Sequence, residues 1–328
     1  MPAQATNAPT LSVIVPATNG PDSVPRCSQA IEAGLAERDE LIVVTEPAGA
    51  GPAAARNAGA TRSAGDVIVF VDADVVLRAG ALDRIRSAFA ADPTLAAIFG
   101  SYDDSPEAPG LVSGFRNLLH HHVHQQGAGE AATFWAGIGA IRRSAFEGSG
   151  GFDAERYPAP SVEDIELGLR LTRDGARIVL DPRIQGTHLK GWSLAGMVRT
   201  DFASRGMPWV ELLLRPGVSR GVLNLGWRHR LSAGAAVLAV GAAVGRRPRA
   251  LVAAILALLL LNHSLYGLLW RRRGPTEAVA GVALHALHHL TGVAAVPAGV
   301  VAHLARDGDA AIASSTTSAM RSASAGYE

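Results

Sequence analysis

Residues 67–76 read VIVFVDADVV: five consecutive β-branched or aromatic residues, then two carboxylates one position apart. Such a run is a buried strand, and alternation along it would send Asp72 and Asp74 to one face. Like charges that close repel unless a cation or hydrogen bonds compensate. A strand ending in Asp-Ala-Asp can hold a hard divalent cation, with water and phosphate completing its shell, and such an ion neutralises a departing diphosphate. The competing reading is a plain turn, because Asp favours strand ends and bonds its own backbone.

Outward from this stretch, short apolar runs recur: LSVIVPA and ELIVVTE before it, LAAIFGS and RIVLDP after it. Between them, ALDRIRSAFAA (81–91) places Leu82, Ile85 and Phe89 at helical spacing and stops at Asp92-Pro93. Alternating strands and helices predict an α/β sheet covered on both faces. The 328 residues suffice for one large or two ordinary domains. With 30 Lys and Arg against 29 Asp and Glu, the basic excess of a nucleic-acid binder is absent. A single cysteine, Cys27, excludes an internal disulfide framework and any CxxC motif.

After Arg230 the character changes. LSAGAAVLAVGAAVG is short for a membrane span, ALVAAILALLLLNHSLYGLLW is full length, and the segment from Ala278 to Ala305 is longer still. Their Ala and Gly content suits close helix packing in lipid, which predicts two to three transmembrane helices over 211–305. Residues 1–9 and 306–328 read as disordered, the latter rich in Ser, Thr and Ala. The first ten residues lack the basic and apolar regions of a signal peptide.

A rival motif sits upstream. Gly49-Ala50-Gly51-Pro52-Ala53-Ala54 matches GxGxxA, and Asp72 lies where a dinucleotide fold places its ribose-binding acid. Against this, four residues (Thr45 to Ala48) separate strand from glycine, Pro52 removes an amide, and Asp74 is left without a role.

The ordered set LSVIVPA, ELIVVTEPAG, GPAAARNAGA, GDVIVFVDADVV, GGFDAERYPAPSVEDIELGLRL, THLKGWSL and RTDFASRGMPW resembles the family 2 glycosyltransferases, over about residues 10–210. That resemblance implies a GT-A (nucleotide-diphospho-sugar transferase) fold with a mainly parallel sheet, followed by a helical membrane region. It implies that Pro16, Ala17, Glu46, Arg56, Asp72 and Ala73 line the nucleotide-sugar site. Thr45-Glu46-Pro47-Ala48 stands where the family commonly has Asp-Asp-Gly-Ser, and Ala17-Thr18-Asn19 where it has Thr-Tyr-Asn. It also implies that Asp72, Asp74 and His188 hold Mg2+ or Mn2+, with Lys190 neutralising phosphate charge.

Within SVEDIELGL, Ser161 and Asp164 are spaced as a capping box, a role worth about 1 kcal/mol. The alternative is catalytic: an inverting transfer needs a carboxylate to take the acceptor hydroxyl's proton. The family places its base here, which implies Asp164 as base and Glu163 as a supporting acid. Trp135 and Gly137 in TFWAG are expected to face the acceptor, with Trp135 a stacking platform. Arg205 and Trp209 are similar to the basic and aromatic end of a QxxRW motif whose Gln is absent, so they are read as acceptor contacts without polymer synthesis.

The histidines at 120, 121, 122 and 124 read as a polar helix face near a membrane, since no HExxH accompanies them. His285, His288 and His289 share a face in the last apolar segment. They suit either a lipid phosphate or an interfacial position. Arginines flank every apolar segment, so the positive-inside rule is met only if the short first segment is re-entrant or interfacial. The expectation is a multi-pass cell-membrane glycosyltransferase with a cytoplasmic catalytic domain, a nucleotide-diphospho-sugar donor and a lipid-linked or membrane-proximal acceptor. A dinucleotide-dependent oxidoreductase and a non-catalytic membrane subunit are the alternatives.

Overall fold

The computed structural model describes residues 8–215 and 226–324, with side chains to residue 305. The chain opens with β1 (Leu11–Pro16), α1 (Val24–Glu32), β2 (Glu40–Val44), α2 (Pro52–Arg62) and β3 (Val67–Val71). A three-residue turn leads to β4 (Val75–Leu77), followed by α3 (Ala81–Ala91), β5 (Leu95–Tyr102) and α4 (Leu111–Gln126). Then come β6 (Gly129–Ala131), β7 (Ile138–Arg142), α5 (Arg143–Gly148), α6 (Glu163–Arg173) and β8 (Arg177–His188). The five expected strands and the 81–91 helix are present; β4, β6 and β7 are additional.

These strands form one sheet in the order β2-β1-β3-β7-β5-β8-β4, with β6 on β8. The pairings β1–β2, β1–β3 and β5–β8 are parallel, and the other four are antiparallel. The sheet is therefore mixed rather than mainly parallel, because β7 enters antiparallel between β3 and β5. Val13, Val69 and Ile138 face α1 and α3, where Ile31, Ile85 and Phe89 meet them. Ile14, Ile68 and Phe70 face the opposite layer, with Phe146 and Leu167. Burial on both faces explains why the central strands read as unbroken apolar runs.

Beyond the sheet lie α7 (Leu194–Arg199), a π-helical turn (Thr200–Gly206), α8 (Met207–Leu214), α9 (Trp227–Val244), α10 (Pro248–Leu261), α11 (His263–Arg273) and α12 (Pro275–Ser324). The 250–270 stretch, expected as one span, is two helices meeting at 74° around Asn262. Asn262 Nδ2 donates to Ser232 Oγ (2.9 Å) and to the Leu258 carbonyl (3.0 Å), which fixes the break. Pro275–Ala305 is the one unbroken helix among the described residues long and apolar enough to cross a membrane. It does not stand apart from the sheet domain: Leu265, Leu269 and Ala278 share a core with Phe115 and Leu118 of α4. Helix α12 continues to Ser324, past residue 306 where disorder was expected; its alanine content favours that. The expected disorder of 1–7 and 325–328 lies outside the described residues.

Candidate active site

Parallel pairing brings the C-terminal ends of β1, β2 and β3 together, with Pro16 beside Val44 and Ile14 beside Phe70. Ligands of α/β sheets bind at such ends. The loops there are tied to one another: Ala17 N–H donates to the Val44 carbonyl (2.8 Å), and Thr18 Oγ to the Ala50 carbonyl (2.5 Å). Glu46 is exposed at the rim of this crevice.

Asp72 and Asp74 occupy the turn between β3 and β4, closed by Val75 N–H on the Asp72 carbonyl at 3.0 Å. Their partners differ. Arg56 Nη2 donates to Asp72 Oδ1 at 2.7 Å, while Asp74 Oδ2 lies 3.4 Å from His188 Nε2. The antiparallel β4–β8 ladder sets His188 opposite Val75, hence next to Asp74. His188 Nδ1 contacts Asn117 Oδ1 at 2.7 Å. With Nδ1 turned to Asn117, Nε2 is the ring nitrogen that faces the Asp74 carboxylate. Burial opposes ionisation of Asp74, but the hydrogen bond and charge of His188 and the charge of Lys190 hold it below the usual carboxylate range.

Among the described residues no three His, Cys, Asp or Glu side chains converge as a metal cluster. Of the expected trio, Asp74 and His188 lie together, while Asp72 turns one carboxylate oxygen, Oδ1, to Arg56. Two protein ligands fit a hard divalent cation that draws its remaining ligands from phosphate and water.

Arg56 is the strut of the site. Its Nη1 donates to Glu163 Oε1 at 2.9 Å, so one buried guanidinium joins the turn after β3 to the first residue of α6. Glu163 Oε2 in turn accepts from Ser161 N–H at 2.9 Å. The capping-box reading is thereby corrected: the acid that reaches back is Glu163, and the N-cap residue is Val162. Asp164 instead accepts from Ala136 N–H (3.2 Å) and Ile165 N–H (2.8 Å). Burial first, and then the charge of Glu163, raise its pKa to about 6.

Two glycines permit this arrangement. A Cβ on Gly168 would lie 2.1 Å from Phe134 N, so α6 rests directly on the 133–134 backbone and holds Asp164 at Ala136. A Cβ on Gly137 would lie 2.2 Å from the Trp135 ring. Trp135 is not a free platform: it stacks edge-on to Tyr102 (5.0 Å between centroids) and lies against His120 at 4.6 Å. Tyr102 stacks face to face with His188 at 4.2 Å.

The rival GxGxxA motif meets a different neighbour. A Cβ on Gly51 would lie 2.1 Å from the Pro158 carbonyl oxygen, so another loop covers the start of α2 where a pyrophosphate would approach.

The profile described as Glycosyl transferase family 2 matches residues 28–150, which include Arg56 and both aspartates of the turn. Over that stretch the chain is similar to glycosyl transferase family 2. Over 155 residues it is 32% identical to the pre-mycofactocin glycosyltransferases of two Mycobacterium tuberculosis strains, covering 44% of this chain and 31% of theirs. It thus spans about a third of the length of those relatives. A Pyrobaculum calidifontis mannosyltransferase, solved with GDP-Man and Mn2+, superposes with a TM-score of 0.51 at 17% identity, covering 91% of this chain and 88% of the other. That likeness is one of fold, GT-A.

Around this site the other expected residues separate. Lys190 lies over the Trp192 ring at 4.7 Å and acts on Asp74. Arg205 is exposed, and its charge reaches Asp164. Trp209 packs beside Tyr157, Val162 and Leu212, on the structural side of α6. His120 and His124 do not form a polar surface: they pack on Trp135, and His124 Nδ1 meets the Gly100 carbonyl at 3.0 Å. His288 and His285 turn toward Asp201 (2.7 Å) and the Tyr266 hydroxyl (3.0 Å) rather than toward lipid. Asn117 and Tyr102 escaped sequence reading, since their partner His188 lies 71 and 86 positions away.

Proposed function

We propose that residues 10–210 transfer a sugar from a nucleotide-diphospho-sugar, with inversion, to a lipid-linked or membrane-proximal acceptor. The observation that carries this is the Arg56 bridge, which brings the Asp72–Asp74 turn and the Glu163–Asp164 pair to one place. Pro16, Ala17 and Glu46 line the crevice for the nucleotide. Asp74 and His188 would hold a divalent cation, which when bound supplies positive charge to the diphosphate. Asp164 accepts the acceptor hydroxyl's proton as its oxygen bonds to the anomeric carbon and the bond from that carbon to phosphate breaks. A base with a pKa of about 6 is ionised at neutral pH yet basic enough for that task. Lys190 adds charge near the phosphates; Trp135 and Arg205 border the acceptor side. The exposed apolar helices argue for membrane attachment, with the catalytic domain on the cytoplasmic side, where sugar nucleotides are made.

Thermal shifts of the purified chain with UDP, GDP, CDP, their sugars, NAD and FAD, each with and without Mn2+, test this. A ligand at one hundred times its Kd raises stability by about 2.7 kcal/mol. A Mn2+-dependent shift with one nucleoside diphosphate, lost in Asp74→Asn, is expected. Asp164→Asn should keep that shift and lower transfer by about 10²–10⁴-fold. A metal-independent shift with NAD or FAD alone would overturn the reading.

A further inference from the structure

The α9–α10 hairpin has no use in the reaction, yet it is the most apolar exposed feature among the described residues. Ser232, Ala235, Ala236 and Ala242 are the buried residues of α9, and Ala254 and Leu258 those of α10. The remaining faces are bare: Leu238 is 67% exposed, Leu260 73% and Val244 80%. A patch so large requires a partner. We infer that this hairpin lies within a single leaflet of an anionic bilayer, its tip and base at the same headgroup layer, rather than crossing the membrane.

Three observations support this. The first is length. Leu231–Gly245 and Pro248–Leu261 are about 22 and 21 Å long at 1.5 Å per residue, against a hydrocarbon core of about 30 Å. The second is charge. Residues 212–276 contain ten arginines and no acidic residue. Arg246, Arg247 and Arg249 sit at the tip and Arg228 and Arg230 at the base, whereas Arg272 and Arg273, at the end of α11, pair with Asp104 and Glu277. A crossing hairpin would put one basic cluster on each side of the bilayer. A hairpin lying in one leaflet gives both clusters the same lipid phosphates. The 74° turn at Asn262 carries the chain out of such a hairpin and into α11, whose Arg272 pairs with Asp104 of the sheet domain.

The third observation concerns the tip backbone. Arg246 has φ of +53°, the left-handed conformation that glycine adopts most easily. It ends α9 in a Schellman motif, with Arg246 N–H on the Ala243 carbonyl (3.2 Å) and Arg247 N–H on the Ala242 carbonyl (2.8 Å). An arginine where glycine fits best points to a task for the side chain, and lipid phosphate at the tip supplies one.

This inference is independent of the transfer reaction. To test it, the full chain is expressed with Cys27→Ser plus either Arg247→Cys at the tip or Asp22→Cys on the sheet domain. Sealed membrane vesicles are then treated with a membrane-impermeant maleimide before and after permeabilisation. Both cysteines should label from the same face. A tip that labels only from the face opposite to Asp22→Cys, or not at all, overturns the inference. So does recovery of the chain in the soluble fraction, with a second copy covering the hairpin. Separately, Arg246→Gly/Arg247→Ala/Arg249→Ala should float at least tenfold less with phosphatidylcholine:phosphatidylglycerol vesicles (3:1), and its Tm should be unchanged or higher. Equal flotation of variant and parent would also overturn it.

Discussion

Two buried arginines hold this molecule together, and their surroundings have opposite charge balance. Arg56 on α2 faces Asp72 and Glu163, with Asp164 close behind and the Phe152 ring 5.5 Å away. Arg116 on α4 faces one acid among the described residues, Asp201 (2.7 Å), which it shares with His288 of α12, and lies over the Trp192 ring at 5.3 Å. Burial opposes both charges. Around Arg56 the three acids outweigh it, whereas around Arg116 burial and the charge of Arg205 push the pKa down to about 10. One cluster thus leaves surplus negative charge where a cation and a proton would be received. The other leaves surplus positive charge where the helical layer joins the sheet domain. Chemistry and attachment use the same residue type with the sign reversed.

Breaking each cluster should separate the two roles. Arg56→Ala leaves Glu163 buried without its counter-charge, and a loss of about 3–5 kcal/mol is expected in denaturant unfolding. Arg116→Ala should cost less, about 1–3 kcal/mol, because Asp201 retains His288; a loss as large as that of Arg56→Ala would contradict the asymmetry. The smallest effect is in pH. Asp164 must be ionised to accept a proton, so transfer should rise with pH up to about 6 and then level, falling about tenfold per unit below that. The charge of Arg56 pulls the Asp164 pKa down. Arg56→Gln should therefore move the limb to higher pH, and Arg116→Gln should leave it in place.

Much of this could be read from sequence wherever a signal is local. VIVFVDAD gave strand, turn and carboxylates within eight residues, and the 3.6-residue spacing of Leu82, Ile85 and Phe89 gave α3 its true ends. β6 and β7 were missed because GEA and IGAIR are short and carry no clear alternation; only their partners define them. The same holds within the site. Asp72 and Asp74 look equivalent on paper, and only Arg56, 16 positions upstream, and His188 make them different. Composition alone reads 250–270 as continuous, since one asparagine weighs little in a hydropathy window; its side chain's bond to Ser232, 30 positions away, is what breaks the helix.

The π-helical turn at Thr200–Gly206 has a consequence of its own. A π-turn is an α-helix carrying one residue too many, so segment length sets the rotation of everything after it. The bulge takes up that extra residue locally, so one deletion within Thr200–Gly206 would give a regular α-helix from α7 to α8 with the faces on either side kept, whereas a second deletion would swing α8 by about 100°. Met207 and Val210, which meet Gly299 of α12, would then leave that seam. The joint thus holds one residue in reserve: the contact between the two layers should survive the loss of one codon here and fail at the loss of a second, because it depends on residue count as much as on residue type.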